Sequence, residues 1–415
     1  MLSHLKQRIT IISFLALIVL LLISIKTVPT SSNESSRFLT IEALVNNGTF
    51  AITNPITDGD LTFTGKYYYS DKPPLLSLVA AGFYAILRWL HPRAPSLLTL
   101  SPQISYIYLT LVISAFPYLL LIYLFWRSLS ELRLKSYERL LYTLALALGT
   151  PLLPFATVFS NHAITALIAF ASFYFIVVQK ITKKTIIVVG VLVGLLPAID
   201  VPFGTAWFVI ITALLWPDIR KYFWHYSLAV IPGIILTLTL NWLTTGSALP
   251  MYLVAKQYLS LPENNWRTDL TLQAPLQIMV NITQAFTGWK KGIFIYTPIL
   301  LLSFWATVRN THSLFNRCQR SILFWGSLTY IIGVIIITND LGGNSYGLRW
   351  ALPFMPIWLW VAAEFWPTIR TKQRYVWVFL GGFSLLMAFR GLPDPWQSGF
   401  DTSLWRVVIA YFSTF

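Results

Sequence analysis

Long apolar runs recur from one end of this chain to the other, and they limit its fold more than any other feature. They fall at about 9–27, 104–126, 140–157, 162–179, 185–200, 203–216, 226–244, 293–308, 321–338, 350–366 and 375–390. A helix needs about 20 apolar residues to cross a bilayer core, and a backbone in lipid must satisfy its own hydrogen bonds. The pattern therefore predicts an all-α polytopic membrane protein of about 11 transmembrane helices. Only 11% of the residues are charged, against about 25% in a soluble domain. The net charge of +15 would suggest nucleic acid in a soluble protein. Here the basic residues lie in short loops between apolar runs, so topology accounts for them and no nucleic-acid partner is expected. Cys318 is the one cysteine, which excludes an intrachain disulfide and a thiolate metal cluster.

Topology turns on the stretch 74–90, apolar but preceded by Asp71, Lys72, Pro73 and Pro74. If residues 28–103 lie wholly outside, six basic groups fall on the cytoplasmic side. They are Lys6/Arg8, Arg127/Arg133/Lys135/Arg139, Lys180/Lys183/Lys184, Arg220/Lys221, Arg309/Arg317/Arg320 and Arg370/Lys372/Arg374. Counting 74–90 as one crossing puts five of the six outside, against the positive-inside rule. It is therefore read as a juxtamembrane helix in the outer interface. The first run is longer than a signal-peptide core and lacks a small-x-small cleavage site, so it is expected to remain as a span. The expected organisation is a membrane domain over 1–390, with extracytoplasmic segments 28–103 and 245–292, and an amphipathic extracytoplasmic tail over 391–415. The N-terminus is expected in the cytoplasm and the C-terminus outside, in a bacterial plasma (inner) membrane.

The span interiors carry few ionisable residues, Glu364 and Asp200 being the exceptions near span ends. A coupled transporter usually places such groups at mid-membrane, so a site built from outer loops fits better. In 33–50, Ser35 or Ser36 can cap a short helix that Gly48 ends, with Phe38, Ile41, Leu44 and Val45 on one face. Glu34 precedes it and Arg37 lies on its first turn. "SDKPPLL" reads as a chain turning into a helix, with Asp71 near its start as a cap or as part of a site, and Lys72 either snorkelling or binding. His162 faces the outer end of a span beside Asn161. Arg349 follows the glycines of the turn 339–350 and either reaches lipid headgroups or grips a phosphate. Lys290 and Lys291 form a cationic pair in the second outer segment.

Taken in order, a span, "SRFLTIEALVNNGTF" and "GKYYYSDKPPLLSL" resemble the first loop of the GT-C glycosyltransferases. The likeness is to the branch of protein O-mannosyltransferases and lipid A aminoarabinose transferases. Arg37-Phe38, Gly48 and the run Tyr69 to Leu75 match that family's pattern. "GTPLLPFATVFSNHAITALIAF", "GWKKGIFIYTPILLL" and "GGNSYGLRWALPFMP" extend the likeness over most of the chain. The resemblance implies a GT-C-like bundle with juxtamembrane helices in the first loop. It also implies inverting transfer of a hexosyl or pentosyl group from a polyprenyl-phosphate-linked sugar to a lipid, glycan or protein hydroxyl.

In such a reaction a carboxylate removes the acceptor proton, and cations stabilise the departing phosphate. The catalytic carboxylates implied are Glu34 and Asp71. The donor or phosphate ligands implied are Arg37, Lys72, His162, Lys290 and Arg349. Asp58, Asp60, Tyr69 and Tyr346 are candidates for an acceptor or loop site, and Asp58 and Asp60 are also alternatives for the base. The family's catalytic Asp falls on Glu34 here, its next acidic position on Ser35, and its second outer acid on Asn161-His162. A divalent metal is compatible with the acidic first loop, though no ligand spacing demands one. Membrane lipids are the other expected partners. The alternative readings are a non-catalytic or transport protein for envelope lipids or glycans, and a polysaccharide ligase.

Overall fold

The computed structural model describes residues 2–53, 55, 59–64, 66–91, 104–250, 274–308, 317–337 and 341–397. Asp58 and the tail beyond 397 lie outside the described residues. In chain order the helices begin with α1 (Leu2–Ser24), α2 (Ser32–Asn47), α3 (Pro74–Leu90), α4 (Ile104–Thr110) and α5 (Phe116–Ser128). They continue with α6 (Ser136–Leu148), α7 (Leu152–Ala156), α8 (His162–Val178), α9 (Lys183–Ile199), α10 (Val201–Leu214), α11 (Trp216–Lys221) and α12 (Phe223–Thr245). Then come α13 (Ala274–Thr287), α14 (Ile293–Tyr296), α15 (Leu301–Val308), α16 (Arg317–Ile337), α17 (Met355–Phe365) and α18 (Thr371–Gly391).

The apolar runs became helices close to where they were expected, with breaks where proline or glycine dictates. The 140–157 run divides around Gly149 and Pro151, and the 293–308 run is interrupted at Thr297-Pro298. Proline supplies no N–H and disfavours helix in the residue before it. By length and composition, Ile104–Glu131 and Phe223–Thr245 can cross a membrane, and shorter apolar helices include His162–Val178 and Ser321–Ile337. Large apolar side chains are exposed on many helices, Trp89 at 80% and Phe379 at 72% among them. A monomer in water rarely exposes so much, whereas lipid covers it.

The all-α expectation missed one element. Strands β1 (Leu61–Phe63) and β2 (Tyr68–Ser70) form an antiparallel hairpin in the first loop, with Leu61 opposite Ser70. Phe63 and Tyr68 pack ring to ring across it, 4.8 Å apart.

The chain divides into two units. One comprises Ile25–Leu121 and Ala156–Asn264. Here α2 starts earlier than expected, because Ser31 rather than Ser35 or Ser36 is the cap and accepts the Glu34 N–H at 3.3 Å. Gly48 ends it in the left-handed conformation, φ 65°. Phe38 and Ile41 of α2 are fully buried against Leu76, Ala80 and Tyr84 of α3, together with Tyr106, Leu109 and Phe159. Spacings of four along α3 thus build its buried face, while Leu78, Val79, Ile86, Trp89 and Leu90 remain exposed.

The other unit comprises Met1–Ser24, Ile122–Phe155 and Asn265–Phe415. Glu138 of α6 anchors it by accepting from Lys135 N–H at 2.7 Å, Trp366 Nε1 at 3.1 Å and Arg374 Nη1 at 3.3 Å.

Candidate functional site

The hairpin and the start of α3 create a charged cluster at the foot of the first loop. Asp60 enters β1 with φ 57°, a left-handed conformation that aspartate tolerates better than most residues. Its carbonyl accepts the Asp71 N–H at 3.1 Å, and its carboxylate accepts Lys72 Nζ at 2.7 Å and Ser32 Oγ at 2.7 Å. Lys72 also lies 2.9 Å from Asp71 Oδ1, so one ammonium sits between two carboxylates. The Asp71 side chain keeps 26% of its surface open, although Oδ1 itself is enclosed. Burial pushes the Asp71 carboxyl above its ordinary range; the Lys72 ammonium pulls it down and the Asp60 charge pushes it up. Asp71 does not cap α3, whose start at Pro74 has no side-chain cap. Tyr69, on β2, lines a small groove with Thr40, Ser70, Lys72, Ser77 and Thr244.

Glu34 behaves differently. It is fully buried, and four donors surround its carboxylate: Thr30 N–H at 2.6 Å, Thr30 Oγ1 at 3.2 Å, Tyr106 OH at 2.7 Å and Phe159 N–H at 3.1 Å. Burial raises its pKa from 4.5 to about 7, with those donors pulling the other way. Among the described residues it shares no hydrogen-bond partner with Asp71. The link between the two runs through the backbone of α2: Ser36, two residues after Glu34, accepts from Ser70 Oγ at 3.0 Å.

Arg37 connects the loop to the helix ends. Its Nη2 donates to Asn161 Oδ1 at 3.3 Å, and Asn161 Nδ2 donates to Asp200 Oδ2 at 3.1 Å. Asp200 also caps α10 by accepting the Phe203 N–H at 3.2 Å. Arg37 is itself buried and its charge acts on Asp71. His162 opens α8 next to Asn161 and is buried.

Asp200 and Asn161 are each legible in the sequence, and "IDVPF" carries a recognisable cap-and-proline start, but no spacing joins the two. Tyr106 gave no signal, being one of 20 tyrosines.

The remaining candidates belong to the second unit. Lys290 is exposed, whereas Lys291 is buried and donates to Gly343 O at 2.6 Å, Ser345 O at 2.7 Å and Ser345 Oγ at 2.8 Å. That grip fixes the glycine-rich turn that carries Arg349. Arg349 lies over the Trp396 ring at 5.8 Å. Tyr346 is buried edge-on against Tyr296 at 4.7 Å, and its hydroxyl donates to the Met387 carbonyl. Among the described residues, no three His, Cys, Asp or Glu side chains gather as metal ligands.

Helix order, the two helices of the first loop and the exposed apolar side chains define a mostly helical membrane-type fold. Two solved structures share this fold: ArnT from Cupriavidus metallidurans in the apo state, and the same protein bound to undecaprenyl phosphate. The TM-scores are 0.53 and 0.54, at 11% sequence identity over 89% of this chain. The chain spans 62% of the length of each of these structures. No protein-family profile matches the chain, and no curated protein sequence does.

Proposed function

We propose that the chain is an inverting glycosyltransferase that uses a polyprenyl-phosphate-linked sugar on the extracytoplasmic face. The observation that carries this reading is the fold shared with a transferase solved with undecaprenyl phosphate. The Asp60–Lys72–Asp71 cluster supplies chemistry suited to it.

Asp71 is the base in this reading, because unlike Glu34 it is partly open, and because its proton affinity is raised. It takes the proton of the acceptor hydroxyl while that oxygen attacks the anomeric carbon. The bond from that carbon to the phosphate oxygen breaks, and its electron pair leaves with the lipid phosphate. Lys72 stabilises the charge growing on the leaving oxygen. Arg37 adds a second positive charge that acts on Asp71. Glu34, enclosed by four donors, anchors α2 to α4 and to the turn before α8. The donor sugar is a hexose or pentose, and the acceptor a lipid, glycan or protein hydroxyl.

The test is transfer of labelled sugar from polyprenyl phosphate by the full chain in proteoliposomes. Losing a general base costs about 10²–10⁴-fold, so Asp71→Asn is expected to fall by at least about a hundredfold, and Lys72→Met steeply. Transfer within twofold of wild type in both variants would exclude the assignment.

A further inference from the structure

Helices α9 and α12 lie side by side and run the same way. A Cβ added at Gly190 would meet Ala229 Cβ at 2.9 Å, one at Gly194 would meet Val230 O at 2.6 Å, and one at Gly233 would meet the Gly194 backbone at 2.3 Å. Positions along α9 are therefore level with positions 36 to 39 residues later, which is a parallel register. That register places Lys183 and Lys184, at the start of α9, level with residues 219–223. Arg220 and Lys221 fall in that range, just before α12 begins.

Both basic loops thus lie at one end of the pair. That end holds Lys180, Lys183, Lys184, Arg220 and Lys221 against one acid, Asp218, a net of +4. The N-termini of both helices also face this end and favour an anion there.

From this end an open groove of about 460 Å³ runs between the helices. Ile187, Val191 and Leu195 form its α9 wall, and Leu228, Pro232 and Leu236 its α12 wall. His225 is the polar residue of the lining and sits at the basic end. Lys183 is one turn before Ile187, so it continues the α9 wall into the basic end. Pro232 lies within α12, and Ala229 and Gly233 line the groove where the two helices meet. At 1.5 Å per residue it extends about 12 Å along α9 and about 16 Å along α12. That is close to one leaflet, half of a core about 30 Å thick.

We propose that this groove is a binding site for an anionic phospholipid, with one acyl chain against Val191 and Pro232 and its phosphate among Lys183, Lys184 and Lys221. Apolar depth of one leaflet and a cluster of cations at the mouth are the two halves of such a ligand. The inference does not rest on the transferase reading, because none of these residues belongs to the cluster around Asp71.

Native mass spectrometry of the full chain in detergent tests it, with phosphatidylglycerol and phosphatidylcholine as paired probes. Wild type is expected to retain phosphatidylglycerol at least about tenfold better. Lys183→Gln/Lys184→Gln/Lys221→Gln changes exposed residues only and is expected to erase the preference. Val191→Trp fills the groove, leaves every charge in place and is expected to reduce retention of phosphatidylglycerol to a similar extent. Equal retention of both lipids by wild type would overturn the proposal. So would undiminished phosphatidylglycerol retention in Val191→Trp, which would reduce the site to surface charge. Displacement of phosphatidylglycerol by equimolar undecaprenyl phosphate would also overturn it, by giving the groove to a polyprenyl lipid.

Discussion

Glu34 and Asp71 are both acidic residues of the first loop, yet burial makes them different chemical groups. All the oxygen lone-pair directions available to Glu34 face donors, and two of those donors are backbone N–H groups that cannot turn away. Glu34→Gln must point its NH₂ at one of them. We expect a loss of about 1–3 kcal/mol of stability from the unmatched donors, visible as a lower unfolding temperature in detergent. Glutamine would therefore act here as a folding lesion rather than a silent probe of catalysis.

The pH dependence has a definite sign. The folded pKa of Glu34 is about 7 against 4.5 ordinarily, so between these values the native state holds a proton that the unfolded chain has released. The contribution is fully present below about pH 4.5 and is lost as pH rises through about 7. Unfolding midpoints measured from pH 5 to 8 should fall, and this slope should vanish in Glu34→Gln. Asp60 raises the proton affinity of Asp71 through its charge. Asp60→Asn should accordingly move the acid limb of the transfer rate to lower pH; a limb that stays in place would remove Asp60 from this role.

At the scale of elements, α3 shows how one helix can be apolar all round and still have an inside. Leu76, Ala80 and Tyr84 are buried against α2 and α4, whereas Leu78, Val79 and Ile86 are exposed. Leu76→Ala should cost about 2–5 kcal/mol, and Leu78→Ala should stay within about 0.5 kcal/mol. Thermal unfolding of the two variants separates a packed face from a lipid-facing one; equal losses would refute the division. Periodicity in the sequence placed the helix but could not rank its faces, because both are apolar. The hairpin escaped notice for a related reason. Its strands are three residues each, and "LTF" and "YYS" carry too little alternation to register.

For the whole molecule, the open question posed by the sequence was the side on which each loop lies. With residues 28–103 outside, single cysteines placed at Lys66 and at His91 in a Cys318→Ser background should both react with an impermeant maleimide added to intact cells. Cysteine at Lys184 should react only after the membrane is opened. Protection of one of the first two positions would mean that α3 crosses, and every later loop would change sides.

What the sequence determined by itself was local. Apolar run length specified a helical membrane-type fold, prolines and glycines set most helix ends, and the order from Arg37 to Leu75 carried the likeness from which the fold shared with the ArnT structures could be expected. Tertiary structure decided which charges are open and which are enclosed. Arg37 reaches Asn161 across 124 positions and Asn161 reaches Asp200 across 39. Burial and partnership arise from packing between segments far apart in the chain, and no spacing along the sequence encodes them.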